Sequence, residues 1–191
     1  MKEQTMRVSE RLPNLLTTGR LVVSPFVALA YLVLPLSQAS GLAAAIFAAA
    51  SATDFLDGHL ARRYNLVSNF GKMLDPIADK TLVVIALLAI IANSGMNPWL
   101  IVPSVAIVFR ELFISGLREH MSRSGADLGA TGMGKTKAAI QMAAIFLLLA
   151  APAIPKLSEI VGLAGLALLW MAALLSVVSA ANYFRKALPH L

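Results

Sequence analysis

The 191-residue chain has no cysteine, which removes disulfides, thiolate-held zinc and thiol nucleophiles together. Its three histidines, His59, His120 and His190, are scattered and form no helical metal pair. Charge is scarce too: 14% of the residues are charged and 58% are hydrophobic, where soluble domains carry roughly a quarter charged residues. Alternating strand and helix patterns, internal repeats, low-complexity tracts and long linkers are all absent. Residues 1–191 therefore read as a single domain, all-α and embedded in a membrane.

What the chain does have is apolar runs close to the roughly 20 residues that cross a bilayer. Six can be marked, at about 15–36, 41–61, 74–92, 98–118, 133–151 and 158–184. The separators are PLSQASG, RRYNLVSNFGK, NSGMNP, REHMSRSGADLGATG and PAIPKLSE. With the N-terminus inside, twelve of the sixteen Lys and Arg fall on the cytoplasmic side and only Lys156 outside. Arg20, Lys80 and Arg110 lie within apolar runs. This asymmetry predicts six transmembrane helices with both termini cytoplasmic. It also accounts for the net charge of +6 without a nucleic-acid partner. Residues 1–13 fit a short helix on the cytoplasmic surface as well as they fit a frayed tail. A signal peptide is disfavoured by the long polar start and by Arg20 in the apolar run.

Charge inside a membrane costs several kcal/mol near the bilayer centre, so each such residue is a functional candidate. Here the charges gather at cytoplasmic ends. Asp54 and Asp57 close the second run; Asp75, Asp79 and Lys80 open the third; Arg110, Glu111, Arg118 and Glu119 lie in the fourth. Asp54 and Asp57 are three apart, and Asp75 and Asp79 four apart, so each pair shares a helix face. Pro76 suits the first turn of a helix, which places Asp75 near its cap. Four carboxylates in a low dielectric repel unless cations neutralise them, and an all-oxygen set favours Mg²⁺ or Mn²⁺. The plainer alternative pairs these Asp residues with Arg62, Arg63 and Lys80.

The pattern Asp54-x2-Asp57-Gly58-x2-Ala61-Arg62-x8-Gly71-x3-Asp75-x3-Asp79 resembles the full signature of the CDP-alcohol phosphotransferases. The segment LPNLLTTGRL resembles a second family element, with Asn14, Thr17 and Arg20 at spacings of three. The resemblance implies a six-helix membrane enzyme, usually a homodimer, that displaces CMP from a CDP-linked lipid with an alcohol. It implies two metal ions held by Asp54, Asp57, Asp75 and Asp79, with Asp79 also the general base. Asn14, Thr17, Arg20, Gly58, Ala61, Arg62 and Gly71 would form the CDP site. A bacterial inner membrane is the home it suggests.

RELFISGLREH and GMGKTK resemble the branch of that family whose acceptor is sn-glycerol 3-phosphate and whose lipid donor is CDP-diacylglycerol. The charges agree. Arg110 and Arg118 are a little over two helical turns apart, and Lys135 opens the next helix on the same side of the membrane. This cluster exceeds what the Asp residues and CDP require, so it suits an anionic acceptor. Lys137, two residues beyond Lys135, points to another face and reads more as a topology signal. Pairing of Arg110 with Glu111 or Glu119 is the plainer alternative, and inositol phosphate or serine are alternative acceptors. A cation transporter is a further alternative, but the outer halves of the runs offer no polar path.

GATGMGKT, Gly129 to Thr136, also has the spacing of a nucleotide-binding loop. Such a loop needs a strand before it and a parallel sheet around it, and SRSGADL supplies neither. No ATP is expected. Gly129, Gly132 and Gly134 instead lead into a helix start where Lys135 could meet a phosphate.

Overall fold

The computed structural model describes residues 2–64, 69–123 and 133–190, with side chains described over 15–53, at 71, over 73–121 and over 136–189. Six long helices make up the fold: α1 Lys2–Val33, α2 Leu36–Tyr64, α3 Asn69–Ser94, α4 Pro98–Arg123, α5 Met133–Ala150 and α6 Ser158–Ala187. Short 3₁₀ turns follow α5 and α6. Among the described residues there is no strand.

Among the described residues, five helices, all but α3, are long and apolar enough to cross a membrane. Their outer faces carry Phe26, Leu32, Val105, Phe109, Ile160 and Leu174, all well exposed, as lipid-facing surfaces require. Helix α3 joins a charged first half, with Asp75, Asp79 and Lys80, to an apolar second half from Leu82 to Ile91. α1 extends without a break from Lys2, so residues 2–13 continue its axis.

Helix ends follow local chemistry. α3 stops at Gly95, whose φ of +67° suits glycine. Asn97 then caps α4, its Oδ1 accepting from the Trp99 N–H at 3.0 Å, and Pro98 takes the first helical position.

Two expectations are corrected. PLSQASG is not a loop: α2 begins at Leu36, with the Ala39 N–H bonded to the Pro35 carbonyl at 2.9 Å. Burial of Ala39 and Ser40, and the Ser40 hydroxyl on Tyr31 at 3.3 Å, hold this first turn against α1. Pro76 is not at a helix start either. α3 begins at Asn69 and carries Pro76 in its interior, so Asp75 is no cap. An interior proline costs on the order of 3 kcal/mol. The flanking Asp75 and Asp79 are both tied to α1, and those contacts hold this turn helical despite that cost.

Contacts fix the directions of the helices. Thr17 meets Asp75 and Arg20 meets Asp79, a near-constant offset, so α1 and α3 are parallel. Trp99 with Trp170 and Phe113 with Phe184 make α4 and α6 parallel as well. Gly165 beside Leu148 and Gly162 beside Ala151 make α5 and α6 antiparallel. α1 packs along both α2 and α3, while α6 packs along both α4 and α5. Between these groups lies a core of small and branched residues, among them Ala43, Phe47, Leu82, Ala86, Ile145 and Leu169. Small side chains let the backbones approach closely, which is how helices gain dispersion energy where the solvent is itself apolar.

Candidate active site

The third helix presents its acidic residues to the first. Asp75 and Asp79 are one turn apart and share a face, as their spacing predicts. The Thr17 hydroxyl donates to Asp75 Oδ1 at 2.6 Å, and Arg20 Nη1 donates to Asp79 Oδ1 at 2.6 Å. Both α1 residues are buried, the Arg20 side chain being 1% exposed against 47% for Asp79. A guanidinium buried to this degree is tolerated only with a close anion. Its partner lies 59 residues away, so no local inspection of the sequence could name it.

Lys80 pairs with neither Asp75 nor Asp79; its Nζ donates to the Pro76 carbonyl at 3.1 Å. A second cluster of charge lies between α4 and α5. There Glu111 Oε1 accepts from Arg110 Nη1 at 3.0 Å and from Lys137 Nζ at 2.5 Å. The pairing of Arg110 with Glu111 weighed from sequence is therefore present. Lys137, expected on another face from Lys135, is buried and bridges α5 to α4. The signal for it was the spacing of Lys137 and Gln141, four apart on one face of α5, and both are buried. Arg118 lies two turns nearer the end of α4, exposed, its guanidinium 5.7 Å from the centre of the Tyr183 ring on α6. It is not in contact with Arg110.

An open groove between helices is expected for a lipid substrate, and one of 610 Å³ lies between α4 and α6. Val105, Phe109, Phe113 and Phe184 line it, and Arg110 is the charged residue on its wall.

Several predicted site residues lie outside the described side chains: Asn14, Asp54, Asp57, Ala61, Arg62 and Lys135. Gly58 and most of the GATGMGKT motif lie in the same undescribed stretches. Gly71 is buried on α3. Among the described residues no three His, Cys, Asp or Glu come together as a metal group, the side chains of Asp54 and Asp57 not being among them. The part of the quartet that is described suits a hard cation: two carboxylates one turn apart on one face, an all-oxygen pair. The hydroxyl of Thr17 and the guanidinium of Arg20 fix the orientation of those carboxylates, as outer partners of metal ligands do.

Residues 10–178 match the family model for CDP-alcohol phosphatidyltransferases. Similar curated proteins carry the name CDP-diacylglycerol–glycerol-3-phosphate 3-phosphatidyltransferase. One from Cereibacter sphaeroides is 40% identical, over 94% of this chain and 96% of its own length. One from Rickettsia bellii is 39% identical, over 94% and 97%. One from Pseudomonas fluorescens is 42% identical, over 94% and 91%.

Proposed function

Since the chain belongs to the CDP-alcohol phosphatidyltransferase family, we propose that it is a membrane enzyme of phospholipid biosynthesis. It transfers the phosphatidyl group of CDP-diacylglycerol to sn-glycerol 3-phosphate, giving phosphatidylglycerol phosphate and CMP. The observation that supports this most is the presence of two unlike regions. Asp75 and Asp79 on α3 are braced by Thr17 and Arg20, and Arg110, Glu111 and Lys137 form a charged cluster between α4 and α5.

Asp54, Asp57, Asp75 and Asp79 are the residues that would hold two divalent cations, Mg²⁺ or Mn²⁺. Bound there, such ions draw charge from the diphosphate and favour the departure of CMP. The remaining roles belong to side chains. Arg62, Asn14, Thr17 and Arg20 hold the CDP group, where Gly58, Ala61 and Gly71 leave room for it to approach the backbone. Asp79 takes the proton from the acceptor hydroxyl. That oxygen forms a bond to the phosphorus attached to diacylglycerol, and the bond from this phosphorus to the phosphate oxygen of CMP breaks. Arg110, Arg118 and Lys135 bind the acceptor's phosphate and set its hydroxyl in line.

In this reading α3 is the sixth transmembrane helix, both termini and the site face the cytoplasm, and residues 1–191 form one domain. The membrane is a bacterial inner membrane, in keeping with the bacterial relatives. The protein acts as a homodimer, as the family resemblance suggests, and takes neither ATP nor nucleic acid.

Asp79→Asn tests the assignment of the base. CMP release should fall to background while the purified protein keeps its helical content and unfolding temperature. Turnover near the wild-type rate would remove Asp79 from the reaction.

A further inference from the structure

Two cations from different helices share one carboxylate oxygen. Arg110 Nη1 and Lys137 Nζ both donate to Glu111 Oε1, at 3.0 and 2.5 Å. Arg110 and Glu111 belong to α4 and Lys137 to α5, and each of these helices packs along α6. The contact therefore bridges two neighbours of α6. Lys137 stands four residues into α5, close enough to the helix end for an unbound lysine to extend its ammonium towards water. It does not: the residue is 4% exposed.

The donors are not used up by this contact. A guanidinium has five N–H groups and an ammonium three, and Glu111 engages one of each. Arg110 Nε is buried and has no hydrogen-bond partner among the described residues. A buried, unpartnered cationic donor calls for an anion in a finished site. Two cations held within about 6 Å of each other repel unless an anion stands between or beside them. Glu111 supplies one negative charge against two positive ones, so a net positive charge remains for a ligand.

We propose that Glu111 is a positioning residue for the acceptor. It draws Arg110 from α4 and Lys137 from α5 to one point, so that their unused N–H groups converge on the phosphate of glycerol 3-phosphate. Lys137 thereby joins the acceptor site, which the sequence had assigned to Arg110, Arg118 and Lys135. This inference rests on the function proposed above. A carboxylate present only to neutralise Arg110 would not need a second cation brought from another helix.

The test compares steady-state kinetics of the full-length protein in detergent micelles with CDP-diacylglycerol and Mg²⁺. Wild type, Glu111→Gln, Lys137→Gln, the double variant and Lys137→Arg are measured, each with its thermal unfolding. Turnover of wild type with glycerol 3-phosphate tests the function by itself; the ratios of variant to wild-type KM test Glu111. Each single Gln variant should raise the KM for glycerol 3-phosphate about tenfold, the factor associated with one charge-assisted hydrogen bond. Their kcat and their KM for CDP-diacylglycerol should stay within about twofold. The double variant should be no worse than the poorer single one, because both break the same bridge. Lys137→Arg, which can keep the bridge, should stay near wild type. An unchanged acceptor KM in folded Glu111→Gln would overturn the proposal. So would a parallel loss in kcat, both KM values and unfolding temperature, which marks a structural brace. Should Glu111→Gln fail to fold, Lys137→Gln decides by the same criteria.

Discussion

Replacing Arg20 by methionine separates the catalytic use of this residue from its structural one. The side chain is 1% exposed and its bond to Asp79 is 2.6 Å long. Breaking a fully buried ion pair costs about 3–5 kcal/mol, chiefly because the remaining charge is stranded. Of the described partners, the charge left behind is Asp79, 47% exposed, so water can take over much of its solvation. Removing the guanidinium also relieves its own burial in a low dielectric, and methionine fills a similar volume. The net loss of stability should be only about 1–2 kcal/mol. The loss of activity should be larger. Arg20 orients the proposed base and stands where the diphosphate is expected, and loss of one donor to transition-state charge costs roughly 10²–10³ in rate. Initial rates of CMP release and thermal unfolding by circular dichroism, on the same detergent-purified samples, give both numbers. A folded Arg20→Met protein retaining activity within about threefold of wild type would refute the reasoning.

Other perturbations follow from single contacts. Thr17→Val removes the hydroxyl that donates to Asp75 at 2.6 Å. Activation by Mg²⁺ should then require about tenfold more metal, read from the metal dependence of CMP release. Gly165→Ala would place a Cβ 2.9 Å from Leu148 Cγ and 3.1 Å from its backbone nitrogen, where α5 cannot yield. Thermal unfolding should show a loss of about 1–3 kcal/mol, with turnover at low temperature unchanged. Chelation of divalent ions should stop CMP release and leave the helical circular dichroism intact, since the core among Phe47, Leu82, Ile145 and Leu169 does not include the acidic site. Added Mg²⁺ or Mn²⁺ should restore the reaction.

The helices were largely legible because apolar runs in a membrane leave little choice of structure: backbone groups without water must pair within the helix. Boundaries at Pro35 and Pro76 were not. At Pro35 the helix does break, but α2 starts at once, its first turn held by the bond of Ser40 to Tyr31. At Pro76 local proline chemistry argued for a helix start, and the bonds of α1 to Asp75 and Asp79 overrode it. The acidic face was legible from the spacing of Asp75 and Asp79 alone. Its braces were not, because Thr17 and Arg20 reach partners 58 and 59 residues away through the packing of α1 on α3. Family resemblance had marked these two residues for the diphosphate, and their bonds to the carboxylates are a finding of the fold. Lys137 was underrated for a similar reason. Counting faces on α5 says where its side chain leaves the helix, but its meeting with Glu111 depends on both helices packing against α6.

The most direct test of the account is the identity of the product. Purified protein in micelles with CDP-diacylglycerol and Mg²⁺ would be offered glycerol 3-phosphate, inositol phosphate, inositol or serine in separate reactions. CMP release would be followed, and the lipid formed would be identified by mass spectrometry. CMP and phosphatidylglycerol phosphate should form in equal amounts with glycerol 3-phosphate, and neither CMP nor a new lipid with the other acceptors. A lipid formed from another acceptor, with glycerol 3-phosphate inert, would contradict the reading of Arg110, Arg118 and Lys135. Folded protein that releases no CMP with any acceptor would contradict the function itself.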